Sequence, residues 1–111
     1  MTTSTFSDIH ATYATSKDGT RLYAIARGNP SNPALVCTHG FGGSTFIFSK
    51  QFASPRMLEG VYLIAYDLRG NGRSTKPETE EAYAKERYVE DFWAVCEAFK
   101  VQNPIALGWC V

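Results

Sequence analysis

The chain has 111 residues, which allows one domain at most. Eleven basic residues balance eleven acidic ones, and with no basic run or acidic tail, nucleic acid and anionic membrane are poor candidate partners. A hydrophobic content of 44% with 14% aromatics is that of a globular protein and excludes a disordered one.

Residues 1–10 carry no pattern and read as an N-terminal arm. Met1 to Asp8 has neither a basic n-region nor an apolar core, which argues against a secretory signal. No apolar run approaches the roughly 20 residues that cross a bilayer. Thr12-Tyr13-Ala14-Thr15 and the alternating Arg21-Leu22-Tyr23-Ala24-Ile25-Ala26-Arg27 flank a turn centred on Asp18-Gly19, the signature of a β-hairpin. Residues 28–33 form a loop whose two prolines, Pro30 and Pro33, no helix or central strand would keep.

At Ala34 the texture changes. Ala34-Leu35-Val36-Cys37-Thr38 is a continuous apolar run, as expected of a strand covered on both faces. It empties into His39-Gly40-Phe41-Gly42-Gly43, where the glycines let backbone N–H groups approach another group closely. Residues 44–52 are weakly helical. A second buried strand, Val61-Tyr62-Leu63-Ile64-Ala65-Tyr66, ends in Asp67-Leu68-Arg69-Gly70-Asn71-Gly72-Arg73-Ser74, a Gly-rich turn with an internal Asp–Arg pair. Tyr88, Val89, Phe92, Trp93, Val95, Cys96 and Phe99 then recur at three- and four-residue steps and predict a helix with one apolar stripe. Glu78, Glu80 and Glu81 near its start and Lys100 near its end would suit the helix dipole, and Asn103-Pro104 stops it.

The last predicted strand, Pro104-Ile105-Ala106-Leu107, runs into Gly108-Trp109-Cys110-Val111. In the nucleophile elbow G-x-S-x-G a Ser sits on a strained strand-to-helix turn with its oxygen exposed. Here Gly108 holds the first glycine position and Cys110 the nucleophile position, with a thiol where a hydroxyl is usual. Cys37, Cys96 and Cys110 are odd in number, widely spaced and free of C-x-x-C pairs, so neither a zinc site nor a disulfide framework is expected. No metal or cofactor is called for, and a reducing, cytoplasmic setting is expected.

Alternating apolar strands and helices predict a mostly parallel α/β sheet, with the N-terminal hairpin beside it and helices on both faces. Three loops leave the carboxyl ends of three buried strands, where ligand sites of open parallel sheets lie, so all three should converge. Together, His39-Gly40-Phe41-Gly42, Asp67-to-Ser74 and Gly108-Trp109-Cys110-Val111 resemble the α/β-hydrolase superfamily, in its members with an H-G-x-G loop and a D-x-R-G-x-G-x-S loop. The resemblance covers residues 11–111 and implies the N-terminal part of a single α/β-hydrolase domain.

Position by position, the resemblance implies Cys110 as nucleophile, the backbone N–H groups of Phe41 and Val111 as the oxyanion hole, and Gly40, Gly42 and Trp109 against the substrate. His39 becomes a structural residue of its loop, and Asp67, Arg69, Gly70, Gly72 and Ser74 shape the second loop. Cys37 and Cys96 read as core. A minority of the superfamily uses Cys, and substitution of a Ser gives the same letters. A free thiol with a pKa near 8.5 is only a few per cent thiolate at neutral pH and needs a paired His or a helix N-terminus to act. The family's acid and general-base His follow the nucleophile in chain order, so a C-terminal remainder of the domain, on the same chain or a second one, is the expected partner. Ester or lactone hydrolysis through a thioester on Cys110 is the expected reaction on a small-molecule substrate. Acyl transfer uses the same parts, and a hydrolase-fold binding protein with little turnover is the non-enzymatic alternative. Epoxide or haloalkane hydrolysis would need a carboxylate at position 110.

Overall fold

The computed structural model of the chain describes residues 8–108. Strands β1 (His10–Thr15) and β2 (Arg21–Arg27) form the expected hairpin, with β1 starting at His10, ahead of Thr12. Gly19 takes a φ of 90° in the turn, and Asp18 accepts a hydrogen bond from Thr20 N–H at 3.0 Å through Oδ1. Strand β2 pairs antiparallel with β4 (Tyr62–Tyr66), and β3 (Ala34–Thr38) pairs parallel with both β4 and β5 (Ile105–Gly108). The strand order is β1-β2-β4-β3-β5. The parallel strands are joined through helices, which lie on opposite faces of the sheet.

One face is covered by the segment between β3 and β4. It contains a 3-10 turn (Thr45–Phe48), α1 (Ser49–Phe52) and α2 (Pro55–Gly60). Phe48, Phe52 and Leu58 bury their side chains there against Cys37, Leu63 and Ala65. Helix α2 was not expected, yet its start is written in the sequence: Ser54 caps it by accepting from Met57 N–H at 3.3 Å, and Pro55 opens it. The opposite face packs on α3 (Lys85–Ala98), where Val95 and Cys96 join Leu22, Ala24, Ala26, Val36 and Ile64.

The expected stripe of α3 is only half right. Val89 and Trp93 point outward, 58% and 52% exposed, while the carboxylate of Asp91 is fully buried on the inner face. Glu80 and Glu81 belong to a separate 3-10 turn (Glu80–Tyr83), so of the acidic residues only Glu86 lies in the first turn of α3. The helix ends before Asn103-Pro104. Val101 N–H donates to Cys96 O at 2.8 Å and Lys100 N–H to Glu97 O at 3.1 Å. This is a Schellman motif in which Lys100, at φ 58°, takes the left-handed position usually held by glycine. Among the described residues no helix is long and apolar enough to cross a membrane.

Candidate active site

The loop after β3 turns at once. Gly43 N–H donates to Gly40 O at 3.0 Å, closing a four-residue turn with Phe41 and Gly42 at its corners. Gly42 has a φ of 79°, the value a type II turn demands of its third residue. The turn leaves Phe41 with its side chain 97% exposed. Among the described residues the Phe41 N–H has no hydrogen-bond acceptor.

His39 holds this turn from below. Leu68 N–H donates to His39 Nε2 at 2.9 Å, which makes Nε2 an acceptor and leaves the ring proton on Nδ1. Nδ1–H donates to Gly40 O at 2.6 Å, the same oxygen that closes the turn. Both ring nitrogens are occupied and the residue is buried, so the ring ties the first loop to the second and has no free nitrogen with which to move a proton.

The second loop is built around Asp67 and Arg69, which do not pair with each other as the sequence had suggested. Asp67 Oδ1 accepts from Thr45 N–H at 2.7 Å and Oδ2 from Arg73 N–H at 2.9 Å, so one carboxylate bridges both loops. A side chain at Gly72 would collide with Asp67 Oδ2, which is why that position is glycine. Ser74 Oγ–H donates to Asp67 O at 2.5 Å and its oxygen accepts from Tyr23 N–H at 2.9 Å, fastening the loop to β2.

Arg69 runs the other way. Its guanidinium is fully buried and forms a two-pronged pair with Asp91 on α3, Nε to Oδ2 at 2.7 Å and Nη2 to Oδ1 at 2.6 Å. Nη1 reaches Asp18 in the hairpin turn at 2.9 Å and donates to Ala82 O at 2.6 Å. Asp91 raises the Arg69 pKa further above its ordinary value, while the Arg69 guanidinium beside Asp18 holds that carboxyl well below the usual carboxylate range. Asp18 and Asp91 were missed as partners. The available signal was a carboxylate inside an apolar helical stripe, which in a folded protein must be paired.

The parallel register sets Thr38 opposite Gly108, so the position that leads into the elbow lies beside the residue that leads into the His39–Gly43 loop. The first and second loops therefore converge, and the third starts next to them. Trp109, Cys110 and Val111 lie outside the described residues, as do residues 1–7 of the arm expected over residues 1–10, whose last residue, His10, already belongs to β1. Cys37 and Cys96 are core, both 1% exposed, with burial pushing the Cys37 thiol up to about 11 and the Cys96 thiol up as well. His10 lies on β1, its ring edge-on to Phe99 at 6.2 Å.

The family model of the alpha/beta hydrolase fold matches residues 33–111. Among curated proteins, "Probable oxidoreductase EphD" of Mycobacterium tuberculosis is 33% identical over 90 residues, covering 81% of this chain and 15% of its own length. "Bifunctional epoxide hydrolase 2" of Mus musculus is 30% identical over 102 residues, covering 91% of this chain and 18% of its own. The chain thus spans less than a fifth of these curated relatives. A crystal structure of a Burkholderia cenocepacia protein assigned as an aryl esterase superposes with a TM-score of 0.85 at 34% identity, over 90% of this chain and 37% of that one.

Proposed function

Because this chain belongs to the alpha/beta-hydrolase fold family, we propose that it carries the nucleophile and the oxyanion-hole amides of an enzyme that hydrolyses an ester or lactone through a thioester on Cys110. The supporting observation is the Gly40–Gly43 turn. It presents a Phe41 N–H without an acceptor among the described residues, in the loop that follows the strand neighbouring β5, which leads to Cys110. Donors of this kind, aimed at developing negative charge, are worth about 3–4 kcal/mol each.

In the proposed reaction the Cys110 thiolate attacks the acyl carbon and the carbonyl π pair moves to oxygen, where the Phe41 and Val111 N–H groups receive it. The carbonyl re-forms as the C–O bond to the alcohol breaks, and the general-base His protonates the leaving oxygen. Water, deprotonated by the same His, then adds to the thioester and expels the thiolate, giving the acid. That His, and the Asp or Glu that orients it, come from the C-terminal remainder of the domain. Gly40, Gly42 and Trp109 border the substrate. The relatives named as epoxide hydrolases make epoxide opening the competing reaction, but it calls for a carboxylate nucleophile and position 110 is a cysteine.

The test is an activated ester, p-nitrophenyl acetate, given to the intact protein. A burst of nitrophenol near one equivalent, followed by steady turnover, is expected, with the acetyl mass on the Cys110 peptide and Cys37 and Cys96 unmodified. Acylation at Cys37 instead, or full turnover by Cys110→Ala, rules the reading out. Saturable binding without product would mark a receptor, and product that appears only with an added acceptor would mark an acyltransferase.

A further inference from the structure

A cavity of 430 Å³ opens between β2, the 3-10 turn at Thr45–Phe48 and the Asp67–Ser74 loop, a size typical of small-molecule sites. Tyr23 and Ile25 on β2, Phe46 on the turn and Phe52 on α1 make its walls mainly apolar. Gly40, Phe41 and Gly42 do not line it.

Three charged residues line it. Arg27 is fastened to the wall by donating from Nη1 to Phe52 O at 2.8 Å. Arg73 lies over the Tyr23 ring, 5.1 Å from its centre, and donates from Nη1 to Tyr23 Oη at 3.3 Å. Among the described residues Arg73 forms no ion pair with a carboxylate. The third group is Asp67, whose two oxygens are each taken by a backbone N–H. Arg73 is thus a guanidinium without a carboxylate partner among the described residues, standing at the exposed rim of mainly apolar walls.

We propose that this cavity binds a small amphiphilic carboxylate, its head on the Arg73 guanidinium and its chain or ring along Tyr23, Ile25 and Phe46. The planar fork of Arg suits a carboxylate, and the apolar walls reject a bare, fully hydrated anion. The site stands whatever chemistry Cys110 performs.

Decanoate titrated into the intact protein by calorimetry is expected to bind saturably at one equivalent, and Arg73→Gln to weaken it about tenfold or more, the loss of one charge-assisted contact. The substitution keeps the backbone N–H that Arg73 gives to Asp67 and removes a side chain that reaches Tyr23 at the surface, so the variant should fold, with its melting curve as the check. Phe46→Ser, at a side chain 79% exposed, should weaken decanoate without touching the charge. Decanol should bind far more weakly. No saturable binding, equal affinity in Arg73→Gln and the parent, or equal affinity for decanol and decanoate would each overturn the assignment.

Discussion

At the scale of single residues, one backbone amide depends on two neighbours. His39 fixes the oxygen of Gly40 by donating to it, and Gly42 supplies the positive φ that lets the chain turn directly after Phe41. A β-branched side chain at φ 79° is strained by about 1–2 kcal/mol, although nothing lies within 4 Å of where its Cβ would sit. Gly42→Val should therefore relieve its strain by tipping the turn rather than by unfolding the protein. In the proposed oxyanion hole that removes one donor from the transition state, so kcat should fall about 10²–10³-fold while KM moves little. Steady-state kinetics on the activated ester, with a melting curve to show the fold intact, checks this. An unchanged kcat in a folded variant would remove Phe41 from the chemistry.

At the scale of elements, the strands were legible because each is a short apolar or alternating run between turn residues. Ala34-to-Thr38 and Arg21-to-Arg27 carry that signal in full. Helix α3 was legible as a helix but not in its facing. Apolar spacing cannot tell that Val89 and Trp93 look outward while Asp91 looks in, because the inward carboxylate is chosen by Arg69, 22 positions earlier in the chain. The first two loops were legible as motifs, whereas their wiring was not: Asp67 serves backbone amides, and Arg69 joins the hairpin turn, the loop and α3 through Asp18 and Asp91. Breaking one side of a buried pair such as Arg69–Asp91 typically costs about 3–5 kcal/mol. The outer partner gives a pH test. Hydrogen bonding from Arg69 depresses the folded pKa of Asp18 below its ordinary 3.8. Its stabilisation is therefore complete above that value and lost as pH falls through the lower, folded one. Asp18→Asn should lower the urea midpoint at neutral pH, and the gap to the parent should narrow as both are titrated from about pH 4 towards pH 2. A gap that stays constant over that range would show that the Asp18–Arg69 pair contributes nothing.

At the scale of the whole molecule, the sheet has two unlike edges. The β1 side ends in a hairpin with charged and polar side chains between its apolar ones, whereas β5 ends the described sheet with Ile105 and Leu107 exposed by 54% and 44%. By register both lie on the face of Leu35 and Cys37, the face that α1 and α2 only partly cover. Val89 and Trp93 leave a second apolar patch on the outside of α3. An exposed apolar edge strand with free backbone groups is a template for pairing with another chain. In the proposed enzyme the segment that brings the Asp or Glu and the His also covers β5. Residues 1–111 produced alone should then self-associate with concentration, through β5. Leu107→Lys, which places a charge on that edge, should return the chain towards a monomer, as sedimentation velocity would show. A stable monodisperse species of 12.3 kDa would contradict the need for a covering segment. Association undiminished by Leu107→Lys would move the contact away from this edge, to the Val89–Trp93 patch on α3.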